Sequence, residues 1–293
     1  MMKRGIALAV VIGIVAVGVA IAFTSPPKLL SIYDAVSGGG KGVQRTGSAV
    51  AFGGHGQTLD VWEPDQSSQS PRPVVVFFHG GGWVKGDRDA YAFAGRALAS
   101  RGFVVVIPDY RKVPQVRFPA FIEDGAEAVR WTRDNIRRFG GDPDRIALAG
   151  HSAGAHTAVT LALDPRWLEA AGVAPGAVKA AIGLSGPYDF YPFDKKRSID
   201  AMSQWPTPRD TQPIEFARAD APPLLLVTSS EDTVVRPYNT ENLAAKLREL
   251  GAPVEAENYE GLSHEEVVMA LSKPFRGMAP VLDRSVSFLE SAM

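Results

Sequence analysis

Short apolar runs alternate with longer amphipathic stretches along most of this chain. The runs at residues 74–78, 103–107, 146–149, 180–184 and 224–227 are almost continuous Val, Ile, Leu, Phe and Ala. Such runs lack the alternating polar positions of a half-buried strand and read as strands of a parallel sheet covered on both faces. Residues 49–52, 58–62 and 254–259 complete eight expected strands, the first two joined as a hairpin by Gly53-Gly-His-Gly56. Helical stretches fall at 90–100, 120–139, 153–163, 238–250 and 284–289, with Gly102 and Gly251 placed to end two of them. This alternation predicts an α/β fold, a mostly parallel eight-stranded sheet with helices on both faces. It breaks between 187 and 222, where Tyr188, Phe190, Tyr191, Phe193, Trp205 and Phe216 lie among prolines and charges. That stretch reads as a cap-like insertion after strand 6 that helps to shape a pocket.

The N-terminus follows a different pattern. Lys3-Arg4 precede nineteen uncharged, mostly apolar residues from Gly5 to Phe23, and Thr24-Ser-Pro-Pro27 ends the run. Nineteen helical residues reach about 28 Å, close to the hydrocarbon thickness of a bilayer. The run is apolar on every side, unlike a surface helix. Residues 1–27 therefore read as a signal-anchor, with the positive flank inside and the body outside the cytoplasm. The alternative is secretion after cleavage near Ala22, where Ala20-Ile-Ala22 offers a signal-peptidase site. Residues 28–47 read as a linker, with Leu29, Leu30, Ile32 and Tyr33 available to dock on the membrane surface or on the body and Gly38-Gly-Gly40 supplying flexibility, and 48–293 as one globular domain.

Composition adds mainly exclusions. Hydrophobic residues make up 45% of the 293, enough for a large core. Thirty-one basic and 32 acidic residues leave a net charge of −1, which gives no reason to expect a nucleic-acid partner. With no cysteine there are no disulfides, thiolate metal sites or cysteine-linked lipid anchors. No paired metal-ligand spacing stands out, and no cofactor is expected.

The candidate chemistry sits at strand ends. Gly150-His-Ser-Ala-Gly154 follows the apolar run at 146–149 and precedes a helix-forming stretch. A sharp strand-to-helix turn holds such a serine proud of the backbone, which makes Ser152 the candidate nucleophile. His79-Gly80-Gly81-Gly82-Trp83 follows another strand. Consecutive glycines let backbone amides approach a developing oxyanion, so Gly81, Gly82 and Ala153 are the expected donors and Trp83 a candidate pocket wall. The acid and base should follow the serine in that order. Asp232, in Ser229-Ser-Glu-Asp, lies past a strand's C-terminal end and is preferred over its neighbour Glu231 on loop spacing. Of the five histidines (His55, His79, His151, His156 and His264), only His264 follows both Ser152 and Asp232. Arg111, Asp124 and Trp131 read as structural, and Asp109 as a support for the site's loops.

These stretches carry a family resemblance. His79 to Asp87, Pro108-Asp-Tyr-Arg111, Phe118-Pro-Ala with Asp124 and Trp131, Gly150 to Gly154, and Ser185-Gly-Pro-Tyr-Asp189 all match. The chain resembles the α/β-hydrolases of the carboxylesterase and hormone-sensitive-lipase-like group, in particular its feruloyl-esterase-like branch, over residues 45–290. The resemblance implies the α/β-hydrolase fold, a Ser152–Asp232–His264 triad and hydrolysis of carboxylic esters, with a preference expected for short to medium chains. The Ser-Ser-Glu-Asp acid loop departs from relatives that carry glycine or acidic residues before the aspartate. Two other readings stay open: another serine hydrolase, such as a lipase, formamidase or peptidase, or a non-catalytic membrane-tethered binding protein on a hydrolase scaffold.

Overall fold

A computed structural model describes residues 25–174 and 176–293. All eight expected strands form one sheet: β1 (Val43–Phe52), β2 (Gln57–Pro64), β3 (Arg72–Phe78), β4 (Val104–Pro108), β5 (Gly141–His151), β6 (Val178–Leu184), β7 (Leu224–Ser229) and β8 (Val254–Tyr259). Their order across the sheet is β1-β2-β4-β3-β5-β6-β7-β8. The β1–β2 and β2–β4 pairs are antiparallel, and every later pair is parallel. The Gly53–Gly56 turn does join β1 to β2, with Phe52 paired to Gln57.

Period-2 alternation inside β3 divides the core in two. Val74, Val76 and Phe78 join one hydrophobic cluster, and Val75 and Phe77 join the other. The first cluster is completed by helices Ala120–Asn135, Ala153–Leu163 and Tyr238–Glu249. The second is completed by Ala92–Ala99 and Val281–Ala292, the latter longer than the expected 284–289. Both faces of the central strands are thereby dry, so their sequences carry no polar stripe.

The linker expected at 28–47 is corrected by the structure. Pro26–Asp34 forms α1, Ala35–Gly39 continues as a π-turn, and β1 already begins at Val43. Helix α1 is docked on α2 (Ala92–Ala99) by buried polar groups. The Ser31 hydroxyl donates to Ala90 O at 2.9 Å and accepts from Phe93 N at 3.1 Å. The Asp34 carboxylate accepts from Arg96 Nε at 2.7 Å and from Lys273 N at 2.8 Å, and Arg96 Nη2 reaches Ser31 O at 2.6 Å. Partners about 60 and 240 residues away hold the segment in place. Its own glycines and polar residues do not reveal them.

Residues 1–24 of the expected signal-anchor lie outside the described residues. Among those described, no helix is long and apolar enough to cross a membrane.

The Arg96–Asp34 pair is almost fully buried, with side chains 8% and 1% exposed. Removing one partner leaves an uncompensated charge in the interior, which typically costs about 3–5 kcal/mol. Asp34→Ala is therefore expected to lower unfolding stability by about that much, measured by urea denaturation. Asp34→Ala combined with Arg96→Met should lose less, because no lone charge remains. An unchanged midpoint in Asp34→Ala would show that α1 does not contribute to the folded body.

Candidate active site

The site begins with a steric constraint at the end of β5. Helix α4 (Ala153–Leu163, after α3, Ala120–Asn135) starts two residues beyond the last residue of β5, His151, with only Ser152 between them. A Cβ on Gly154 would overlap the carbonyl of Phe78, and one on Gly150 would overlap the carbonyl of Gly154. Backbone therefore packs directly on backbone here, and only glycine permits it. Ser152, caught between strand and helix, is forced to φ 55°, ψ −120°. Its N–H donates to Leu184 O at 2.9 Å, and its carbonyl accepts from His156 N at 3.1 Å. A non-glycine residue at positive φ stores about 1–3 kcal/mol of strain, which the surrounding packing must hold.

The glycine loop follows β3. Gly81 has φ 133°, and Gly82 and Trp83 have φ 61° and 62°. The Gly81 carbonyl closes the turn by accepting from Val84 N and Lys85 N, and a Cβ at 81 would overlap the Lys85 carbonyl. His79 underpins the loop from the interior. Its ring stacks on Tyr110 at 4.3 Å, and the Tyr110 hydroxyl donates to His79 O at 2.8 Å. Burial, reinforced by the positive charge of Lys112, pushes the His79 imidazole down to about 4, so it is neutral near pH 7. Asp109 accepts from Arg88 N at 2.9 Å and binds the Arg88 guanidinium, fixing the outer side of the same loop. Arg111 and Asp124 pair at 2.7 Å away from the serine's cavity.

The carboxylate and imidazole meet at the other edge. Asp232 lies just past β7, with its side chain fully buried, whereas Glu231 is exposed. Asp232 Oδ2 accepts from His264 Nδ1 at 2.8 Å, and its Oδ1 accepts from Val234 N and Val235 N at 2.9 and 2.8 Å. Since Nδ1 carries the donated proton, the lone pair of His264 is on Nε2. His264 is the first residue of α8 (His264–Met269, following α5 Pro165–Ala170, α6 Lys196–Met202 and α7 Tyr238–Glu249). A capping box between Ser263 and Glu266 sets that helix start. The Ser229 hydroxyl donates to Leu262 O at 2.6 Å and accepts from Leu262 N at 3.2 Å, stapling the histidine loop to the end of β7.

His151 is a participant that sequence reasoning set aside on chain order. Its Nε2 donates to His264 O at 3.1 Å, which leaves Nδ1 to accept from the Tyr91 hydroxyl at 2.9 Å. The two histidine rings lie 4.8 Å apart. Burial and the neighbouring His264 hold the His151 imidazole well below its ordinary range, so it remains neutral. The residue before the candidate nucleophile thus positions the backbone of the candidate base. Its place inside the G-x-S-x-G motif, next to Ser152, was the only signal available.

Gly82, Trp83, Ser152 and Ala153 line one cavity of about 60 Å³, together with Pro187, Phe190, Arg197 and Ser198 of the insertion. Among the described residues, the N–H groups of Gly81, Gly82 and Ala153 donate to no acceptor. Gly81 is not part of the cavity wall. Trp83 stacks on Phe190 at 5.9 Å and meets the edge of His156 at 5.4 Å. His156 in turn donates to Thr211 O at 2.8 Å, which ties the insertion to α4.

Comparison with known proteins decides the family. The BD-FAE family model matches residues 59–247, more than half of the chain. The chain belongs to the BD-FAE family. This family member is 34% identical over 211 residues to esterase LipC of Mycobacterium tuberculosis, covering 66% of this chain and 52% of LipC. It is 30% identical over 242 residues to the isoprenylcysteine alpha-carbonyl methylesterase of Arabidopsis thaliana, covering 75% of this chain and 56% of that protein. The chain therefore spans about half the length of the curated relatives it matches. The esterase of the archaeon Pyrobaculum calidifontis superimposes with a TM-score of 0.71 at 25% identity, covering 91% of this chain and 92% of that one. The fold is the α/β-hydrolase fold.

The elbow glycines set two effects against each other. In an ordinary helix position alanine is better than glycine by about 1 kcal/mol. At 154 the added methyl meets the backbone of β3, which cannot give way, and overpacking of this kind costs about 1–3 kcal/mol. Gly154→Ala is thus expected to lower thermal stability, as read by circular dichroism melting. A rise in midpoint would mean that α4 does not sit against Phe78 in this way.

Proposed function

We propose that this chain is a serine carboxylic-ester hydrolase acting on short- to medium-chain esters. One observation carries the reading: a strained serine at a strand-to-helix turn shares a small cavity with the free amides of Gly82 and Ala153. His264, an imidazole held by the buried Asp232 carboxylate, packs its ring against that of His151, the residue before this serine. Esterase relatives support the same reaction class.

In the proposed mechanism His264 Nε2 takes the proton of Ser152 as the hydroxyl oxygen attacks the ester carbonyl. Asp232 holds the tautomer and stabilises the imidazolium, itself oriented by the Val234 and Val235 amides. The amides of Gly82 and Ala153, with Gly81 shaping the turn, receive the oxyanion. Collapse of the tetrahedral intermediate releases the alcohol, which takes the proton from His264. Water, deprotonated by His264, then attacks the acyl-enzyme and frees the acid and Ser152.

A panel of 4-nitrophenyl esters from acetyl to palmitoyl, with methyl ferulate, tests the reading. Turnover is expected on the short and medium members. Ser152→Ala should lose both turnover and fluorophosphonate labelling, and Asp232→Asn should lower kcat by about 10⁴-fold. Activity confined to long chains would point to a lipase. Equal labelling of wild type and Ser152→Ala would point to a binding protein.

The proposed location is a membrane surface outside the cytoplasm, with residues 5–23 as the anchor. Its support is the charge and hydropathy pattern of the sequence alone. Cell fractionation with N-terminal mass measurement should place the intact chain in the membrane fraction. A soluble product beginning near Phe23 would overturn the anchor in favour of secretion.

A further inference from the structure

The cavity that holds Ser152 carries an unusual charge. Its wall includes Lys195, Arg197 and Arg236 against a single carboxylate, Asp194, although the whole chain is nearly neutral at −1. Asp194 and Lys195 approach at 3.8 Å, both well exposed, so they screen each other only weakly. The two arginines are left over. Among the described residues neither guanidinium donates a hydrogen bond, and no carboxylate lies within ion-pair distance of either. Every other cation of the insertion from Lys196 to Arg218 is paired: Lys196 with Asp200, Arg209 with Glu215 and Arg218 with Asp220.

Arg197 is the better placed of the two. It is partly buried, while Arg236 is exposed. Its Cδ lies 2.7 Å from where a Cβ on Gly82 would be, with Nη1 at 3.5 Å and Nε at 3.6 Å from the same point. The arginine side chain is therefore seated on the glycine turn that lines the serine's cavity, with its guanidinium close by. A guanidinium remains charged at any working pH and presents a planar fork of donors matched to a carboxylate. A partly desolvated cation without a partner, beside the reacting centre, favours an anion in the same cavity.

We propose that Arg197 is a specificity-determining residue and that the preferred substrates are esters bearing a carboxylate a few atoms from the scissile carbonyl. The inference rests on the esterase reading of the same site and adds the substrate class to it. Arg197 binds the carboxylate through its guanidinium, with Arg236 adding long-range attraction at the mouth. The reacting carbonyl is thereby drawn onto the Gly82 and Ala153 amides.

The test compares kcat/KM for charged and neutral esters of matched length, followed by pH-stat. Monomethyl glutarate against methyl pentanoate places the charge on the acyl side, and 4-acetoxybutyrate against butyl acetate places it on the alcohol side. Wild type is expected to favour the charged member of one pair, which identifies the side. Arg197→Met should lower that charged-to-neutral ratio by about 10–100-fold, the range for losing a charge-assisted hydrogen bond. Arg197→Lys should recover part of it, and added salt should shrink the wild-type ratio. Lys196→Met, one residue away on the exposed side of the same helix, should leave the ratio within twofold. If Arg197→Met slows charged and neutral esters alike, the arginine only packs on the glycine turn and the assignment falls. It falls equally if wild type shows no charge preference in either pair while neutral esters turn over. Failure of all four esters together with absence of fluorophosphonate labelling at Ser152 would instead remove the esterase reading beneath it.

Discussion

The close approach of helix α4 to the ends of β3 and β5 is the constraint on which the rest of the site depends. Glycines at 150 and 154 allow carbonyl and backbone to meet where any side chain would intrude. With the helix so near, the chain has one residue in which to reverse from strand to helix, and that residue takes positive φ. The strain at Ser152 is a consequence of this packing and is held by two backbone hydrogen bonds and a fully buried helix. The same helix start leaves the Ala153 amide without an intrahelical acceptor. One packing decision thus brings the serine and a free amide to the wall of one cavity.

The histidine side is built by polar contacts instead. Ser229 staples the loop, Asp232 holds one face of the imidazole, and His151 holds the carbonyl of the same residue. Each of these groups is buried and each is hydrogen-bonded, so the low dielectric strengthens the contacts. His79, beneath the glycine loop, is kept neutral by burial, and burial with the neighbouring His264 keeps His151 neutral, so that no like charge stands at the His151 ring 4.8 Å from that of His264.

Two segments that look peripheral in the chain bear on this arrangement. Helix α1 packs on α2 through Ser31, Asp34 and Arg96, and Tyr91, at the start of α2, donates to His151. The insertion brings Phe190 against Trp83 and Arg197 over Gly82. One segment supports the site from behind, and the other lines its opening.

Much of the fold was legible because it follows from short-range physics. Strands buried on both faces read as apolar runs. The strand-to-helix turn needs its glycines within four residues, and the positions of the glycine loop, Ser152 and His264 along the chain obey the order that the fold imposes. What tertiary structure alone decided were pairings between distant residues. Asp232 and not Glu231 faces His264, because the turn after β7 buries one carboxylate and leaves its neighbour in water. The supposed linker at 28–47 is a docked helix and strand, because its polar residues find buried partners as far away as Lys273. His151 and Arg197 take their places for the same reason. A contact across the fold depends on the path of the whole chain, and neither partner's immediate sequence records it.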